Sequence, residues 1–219
     1  MHRPMRKSPS LVLFAPMLLL LAGCPTMSQH YLAQPQAIKA EGSYIHRPSG
    51  MTFPQAVGDF HRSAMFDYDM EGFDVSAGYD LTDFSRAITA TVYVYPAPSL
   101  ISIGSPADVV ASARATLTQG EFDKREREIF QAHPDAEKIN ESVVSLQQSG
   151  KSYSGKMASF EFEDFFGGQR LMLSSRLYLF CYVGDKWAIE YRFTYPKNSK
   201  MTNEIDVFMQ DLQWTLENQ

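Results

Sequence analysis

The chain has 219 residues, and its 20 basic and 25 acidic side chains give a formal net charge of −5 at pH 7. This length suits one domain with a substantial hydrophobic core. The acidic balance excludes nucleic acid as an expected partner, because proteins that bind phosphate backbones need clustered lysine and arginine.

The first 24 residues have the organisation of an export signal. A basic segment, 2–7, precedes the apolar run 11–21, which is shorter than the roughly 20 residues that a membrane-spanning helix needs. The run closes with Leu21-Ala22-Gly23-Cys24. This tetrapeptide resembles the lipobox of bacterial lipoproteins. An ordinary secretory signal, or a buried N-terminal helix with a chance cysteine, is the alternative.

The lipobox resemblance implies that diacylglycerol is joined to the Cys24 sulfur as a thioether and that residues 1–23 are removed as a signal peptide. The membrane is then a partner through the lipid on Cys24. Pro25 stands where enteric lipoproteins retained in the inner membrane carry Asp. The resemblance therefore favours the outer membrane, with the folded domain facing the periplasm of the bacterial envelope.

Two cysteines occur in the chain, Cys24 and Cys181. A lipidated Cys24 has no thiol, so no disulfide within the chain is expected. Cys181 lies in an apolar strand pattern and is predicted to be a buried structural residue, because no basic neighbour in the sequence would lower its pKa.

Residues 24–42 are rich in small and polar side chains without apolar periodicity, which predicts a flexible tether before a single globular domain, 43–219. Period-two alternation begins at Ser43. It predicts a hairpin from 44–46 and 51–53 with a turn at Pro48-Ser49-Gly50, a strand over 60–68, a turn at 70–72, a strand over 73–79 and a strand over 88–95 that stops at Pro96.

Ser105-Pro106-Ala107-Asp108 predicts the start of a mid-chain helix, because it combines an N-cap hydroxyl with proline and a carboxylate in the first turn. The helix pattern continues to His133-Pro134, with Gly120 as a possible interruption and the charged run 123–128 on the solvent side. Alternation then predicts strands over 139–146, 158–163, 171–183 and 187–195. A C-terminal helix is predicted from about Thr202.

These elements predict an α+β fold, in which one antiparallel sheet of about seven strands is covered by the mid-chain helix and the C-terminal helix. Only one face of the last strand, 187–195, is expected to be core. The order of elements over about 43–216 is similar to the PsbP-like fold. That resemblance implies an accessory or assembly role rather than catalysis, and it carries over no site residue.

Three motifs resemble ligand sites but lack essential parts. The segment 150–156 spells G-x-x-x-x-G-K, yet Met157 follows and a strand is predicted, so a hairpin turn is favoured over a phosphate loop. The segment 67–72 matches the opening of a calcium loop, but its twelfth position is Gly78 instead of a bidentate Glu. His46 and His61 could meet across strands, without the partner residues that zinc needs. No cofactor, metal site or catalytic residue is therefore predicted.

Four tyrosines share strands with core residues but point to the other side, so they are either covered by a helix or form an exposed aromatic interaction surface. They are Tyr93, Tyr95, Tyr178 and Tyr182. The function predicted is a lipid-anchored binding or assembly module that contacts envelope proteins and has no catalytic activity. The alternatives are an envelope enzyme with a site assembled from dispersed residues and a carrier of a small apolar ligand.

Overall fold

The computed structural model describes residues 31–83 and 85–216. The predicted signal peptide and Cys24 lie outside the described residues. Within the described ranges the chain forms eleven strands and two helices, in this order: β1 (Tyr31–Ala37), β2 (Tyr44–His46), β3 (Met51–Phe53), β4 (Ala56–Val57), β5 (Phe60–Asp69), β6 (Val75–Thr82), β7 (Ala87–Pro96), α1 (Ala107–Ala132), β8 (Glu137–Gln148), β9 (Lys151–Phe166), β10 (Gln169–Val183), β11 (Trp187–Pro196) and α2 (Thr202–Asp211). Neither helix has the length and apolar character needed to cross a membrane.

The strands confirm an α+β fold built on antiparallel pairing. Nine of them form one sheet in the order β1-β5-β6-β7-β11-β10-β9-β8, with β4 also paired to β5. The expected count of about seven is wrong because two strands have no sequence signal. Strand β1 contains Pro35 and lacks alternation, and β4 has only two residues. The predicted hairpin forms a separate two-stranded sheet from β2 and β3.

One face of the large sheet is covered by α2, the β2–β3 hairpin and the chain after α2. Phe208 of α2 lies at the centre of this packing, with its ring centroid 4.7 Å from that of Phe60 and 5.3 Å from that of Tyr79. Trp214 donates a hydrogen bond from Nε1 to the Tyr191 hydroxyl at 2.6 Å. This face holds the larger of the two hydrophobic clusters.

Helix α1 covers the opposite face. Its Phe122 and Ile129 are buried together with Phe160, Leu177 and Leu179 of the sheet. The helix continues through Gly120 without a break, and its N-cap is Pro106, with no side-chain capping bond. The predicted capping by Ser105 is therefore absent, although the helix begins within one residue of the predicted position.

Strand β11 is buried on both faces, which contradicts the expectation that only one of its faces is core. Ala188 and Glu190 are both 0 % exposed. The physical reason is that β11 lies in the middle of the sheet, with α2 above one face and α1 above the other.

The predicted tether, 24–42, is corrected in its second half. Residues 31–37 form β1, which pairs with β5 in a register that places Tyr31 opposite Asp69 and Ala37 opposite Phe66. Beyond the strand, Ile38 and Ala40 pack against the larger core. Backbone hydrogen bonds and apolar contacts therefore hold the chain to the domain from residue 31 onward.

Candidate functional site

A group of charged side chains lies between α1 and the middle of the sheet. Its centre is Glu190 of β11, which is fully buried. The Tyr95 hydroxyl donates to Glu190 Oε2 at 3.0 Å, and Arg125 Nε of α1 lies 3.3 Å from the same oxygen. Arg192 Nε contacts Oε1, the other oxygen. Both oxygens of the buried carboxylate are thus engaged by donors, as its burial requires.

Two further carboxylates complete this group on the helix side. Arg125 pairs with Glu121 at 2.7 Å and with Glu128 at 2.9 Å, and Arg192 reaches Glu128 at 2.6 Å. The group of Tyr95, Glu121, Arg125, Glu128, Glu190 and Arg192 is called the helix–sheet cluster below. Its acids and bases are paired with one another, so its chemical role is to join α1 to β11.

The electrostatics of the helix–sheet cluster keep its arginines charged. Burial alone would lower the pKa of Arg125, but the oxygens of Tyr95 and Glu190 raise it above the usual value for arginine. The pKa of Arg192 is also raised, with Glu190 the main charge that outweighs burial. Burial, followed by the Glu190 charge, raises the pKa of Tyr95 well above its usual value. The phenol therefore stays protonated and acts as a donor.

The four tyrosines considered from the sequence do not share one exposed surface. Tyr93 and Tyr95 lie under α1, where the guanidinium groups of Arg192 and Arg125 stack on their rings at 5.2 and 4.3 Å. Tyr178 is buried on the opposite face of the sheet. A helix covers the first two residues, which was the alternative to an aromatic patch.

Tyr182 is separate from the other three tyrosines. It is half-buried, and its backbone has a φ of 60°, beside a register shift between β10 and β11. Its hydroxyl donates to the carbonyl of Pro98 at 3.1 Å, and Arg114 of α1 stacks over its ring at 4.8 Å. These contacts fasten the loop before α1 to the sheet.

The segment that resembles a calcium loop is the connection between β5 and β6. Asp69 Oδ1 accepts a hydrogen bond from the Phe73 amide at 2.9 Å, while its Oδ2 is buried without a hydrogen-bond partner. Gly72 adopts a φ of +70°, which suits a tight turn. In the described part of the chain, no three His, Cys, Asp or Glu side chains are grouped so that they could hold a metal ion.

Asp74, beside this turn, has a pKa far from the usual value of an aspartate. Burial raises its pKa to about 7, with Asp69 and Glu190 adding repulsion and Arg125 opposing it. The sequence gives no local signal for this residue, because the charges that act on it, those of Arg125 and Glu190, come from distant parts of the chain. Asp74 therefore changes its charge near neutral pH.

The two histidines that could have met across strands are apart. His46 is fully buried, with Nδ1 2.6 Å from the Ser49 hydroxyl and Nε2 2.9 Å from the Gly72 carbonyl oxygen. Burial lowers its pKa. His61 is exposed on β5 and faces Asp80 of β6 in the strand register. The pair does not form a metal site.

A polar cleft of about 350 Å³ opens beside β5 and the chain after β1. Arg62 lies in it and donates to the carbonyl oxygens of Phe53, Ala40 and Gly42 at 2.6, 3.0 and 2.6 Å. The guanidinium therefore fastens three backbone segments together and leaves few donors for a ligand. The lining residues are Ile38, Ala40, Gln55, His61, Arg62, Ser63, Ala64 and Met65.

The segment 150–156 forms a hairpin rather than a phosphate loop. Ser149 and Gly150 have φ values of 50° and 76° between β8 and β9, and β9 starts at Lys151. Gly155 then lies under the Phe180 ring, so close that a methyl group in its place would be 2.5 Å from a ring carbon. The absence of a side chain at Gly155 therefore allows the Phe180 ring to pack closely against the strand. The glycine is followed by more of β9, whereas a phosphate-binding loop is followed by the N-terminus of a helix.

Cys181 is half-buried against the core under α1. Burial raises the pKa of its thiol to about 12, although a hydrogen bond to Thr118 opposes this. The thiolate that a nucleophile requires is therefore scarce at neutral pH.

No protein-family model matches this chain, and a search of curated proteins finds no match.

Proposed function

We propose that this chain is a bacterial lipoprotein, anchored by diacylglycerol on Cys24, whose folded domain is a binding or assembly module without catalysis. The observation that carries the proposal is the tetrapeptide Leu21-Ala22-Gly23-Cys24 directly after a short apolar run with a basic N-terminal side. Two or three acyl chains anchor a protein far more firmly than one. Pro25 favours the outer membrane, with the domain in the periplasm.

The arrangement of the polar groups supports a binding or assembly role. The helix–sheet cluster uses its charges to hold α1, Arg62 uses its donors on backbone carbonyls, and the Cys181 thiol has a raised pKa. The first two features stabilise the domain, and the third leaves the thiol with little thiolate at neutral pH. A long helix on one face, a four-stranded antiparallel meander and a C-terminal helix on the other face also support the proposed likeness to PsbP-like proteins.

A specific observation keeps a second candidate function in view. The polar cleft places His61 and Ser63 beside Arg62, and its volume of about 350 Å³ is within the range of small-molecule sites. An envelope enzyme or a receptor for a small polar ligand would use it. A carrier of an apolar ligand is less well supported by this cleft, because such carriers need an apolar lining.

The anchoring is tested by mass spectrometry of the full chain expressed in its native host and purified in detergent. We expect an N-terminal peptide that begins at Cys24 and carries diacylglycerol on sulfur. The Cys181→Ser variant should keep the lipid, and Cys24→Ser should lose it. A free thiol at Cys24, or a retained segment 1–23, would contradict the lipoprotein proposal.

The binding role is tested separately by crosslinking the lipidated chain in intact cells and identifying envelope proteins that co-purify with it. Cys24→Ser, which would lose the anchor but keep the domain, is the matched control for partners that depend on location. Turnover of an envelope substrate that is abolished by His61→Ala would favour the enzyme instead.

A further inference from the structure

Several connections and the first described strand meet at one end of the large sheet. The register places Tyr31 opposite Asp69, at the turn 70–74 between β5 and β6. It also places Val75 opposite Val94, so the loop 97–106 that follows β7 leaves from the same end. The turn before Trp187 lies there too, since Trp187 pairs with Pro96. This region is called the Tyr31 end.

The Tyr31 end carries large apolar side chains that project into solvent. Ile103 is 95 % exposed, Ile101 is 87 % exposed and Met70 is 74 % exposed. Among the described residues, the two isoleucines are the most exposed large hydrophobic side chains. Isolated exposed apolar residues are ordinary, but a group of them at one end of a domain marks a contact surface.

The loop that carries the two isoleucines is fastened to the sheet at its start and leads into α1 at its end. The Ala97 amide donates to the Lys186 carbonyl at 2.8 Å, and Pro98 accepts the Tyr182 hydroxyl bond at 3.1 Å. Within the loop, the Ser105 amide donates to the Ser102 carbonyl at 3.0 Å, which forms a turn around Ile103. The two isoleucines belong to neither hydrophobic cluster of the domain, although Ala97 at the start of the loop packs against the cluster under α1.

The length of the chain between Cys24 and β1 limits the distance between the Tyr31 end and a lipid anchor on Cys24. Seven Cα-to-Cα steps separate Cys24 from Tyr31, and a chain of that length spans at most about 25 Å when fully extended. A lipid on the Cys24 sulfur fixes that residue at the headgroup level. Tyr31 is the described residue closest along the chain to this anchor, so the Tyr31 end lies within about 25 Å of the headgroups.

We infer that the Tyr31 end contacts the bilayer surface directly, with Ile101, Ile103 and Met70 entering the interface of a zwitterionic phospholipid membrane. This inference rests on the proposed lipidation of Cys24. Interfacial apolar groups typically enter about 5–10 Å into the boundary between headgroups and acyl chains. Glu71, Asp74 and Asp185 outnumber Lys186 in the turns of this end, so charge does not attract it to a membrane, and its contact with a zwitterionic bilayer is apolar and insensitive to salt.

The test measures how deeply the loop 97–106 enters the bilayer of phospholipid vesicles. The full chain from the native host, purified in detergent, is reconstituted into phosphatidylcholine vesicles with brominated acyl chains, which quench tryptophan on contact. We expect Ile103→Trp to lose about half of its added emission, consistent with interfacial depth, at both low and high salt. The contribution of Trp187 and Trp214, which are 8 % and 5 % exposed, is measured in the unsubstituted chain.

Phe165→Trp is the matched control. Phe165 is 70 % exposed, and its strand β9 has 16 residues, so it lies up to about 50 Å from the Tyr31 end at 3.3 Å per residue. We expect no quenching there. Flotation of each reconstituted sample separates the possible failures. A chain that does not float lacks its anchor, which overturns the lipoprotein proposal and this inference together.

A floating chain in which neither Ile103→Trp nor Ile101→Trp is quenched more than Phe165→Trp overturns the inference alone. Ile101→Trp provides a second probe in the same loop. If it is quenched while Ile103→Trp is not, the loop still contacts the bilayer, and the inference stands with Ile101 as the deeper residue.

Discussion

Arg125 of α1 and Glu190 of β11 face each other across the helix–sheet interface, with Nε 3.3 Å from Oε2. Glu190 is 0 % exposed and Arg125 is about one-seventh exposed, so water screens the pair weakly. Removal of one charge from a buried pair is costly because its partner stays buried and loses its counter-charge, and for Arg125 the loss is offset only in part by Glu121 and Glu128. The pair therefore sets how firmly α1 is held to the sheet.

We expect Glu190→Gln to lower the free energy of unfolding by about 3 kcal/mol, because Arg125 and Arg192 lose the buried carboxylate that both contact. Urea denaturation of the purified protein measures this change. Glu128→Gln is the control, since Glu128 is 33 % exposed and should cost no more than about 1 kcal/mol. Equal losses for the two variants would contradict a special role for the buried carboxylate.

Much of the fold is predictable from local patterns. Alternation identifies the long strands, and the β2–β3 hairpin is found where Pro48-Ser49-Gly50 predicts its turn. Helix spacing identifies α2. These signals are local, because each depends on one face of one element being buried.

The parts that could not be predicted depend on contacts between distant segments. Strand β1 is held by pairing with β5, which its own composition does not reveal. Glu190 and Arg192 alternate with core residues on β11, so they look solvent-facing until α1 covers them. One local signal is available: Glu121 and Arg125 of α1 are four residues apart and of opposite charge, which is the spacing of an ion pair on one helix face.

Asp74 is expected to make the stability of the domain fall as the pH rises. Burial raises its pKa from 3.8 to about 7 in the folded state. Between these values the folded chain binds more protons than the unfolded chain, so the free energy of unfolding decreases with increasing pH. This rise in the pKa of Asp74 lowers the free energy of unfolding by at most about 4 kcal/mol at neutral pH and above.

Asp74→Asn tests this expectation because it removes the titration and keeps the side-chain volume. The variant should match the parent near pH 4, exceed it in stability at pH 8, and show a flatter profile between those values by urea denaturation. Asp185→Asn is the control, since Asp185 is 79 % exposed. A parent profile that rises between pH 4 and pH 7, unaltered by Asp74→Asn, would contradict the assignment.

Gly155 and Gly120 are expected to respond in opposite directions to alanine. A methyl group at Gly155 would lie 2.5 Å from a Phe180 ring carbon and 2.7 Å from the Leu179 carbonyl oxygen. Overpacking of this kind costs about 1–3 kcal/mol. Gly120 lies within α1 with open space around it, so alanine should stabilise the helix by about 0.5–1 kcal/mol. Thermal unfolding of the two variants measures both effects, and destabilisation by Gly120→Ala would contradict a continuous helix.

Cys181 is expected to react slowly while the domain is folded, because burial raises the pKa of its thiol to about 12. Only the thiolate attacks disulfide reagents. A rise of the thiol pKa from 9.0 to about 12 reduces the thiolate population about a thousandfold at neutral pH. The Cys24→Ser variant isolates this thiol, and its absorbance change with an aromatic disulfide at pH 8 should be slow in buffer and fast in urea. Equal rates in the two solutions would show that Cys181 is accessible in the folded domain, and would restore it as a candidate nucleophile.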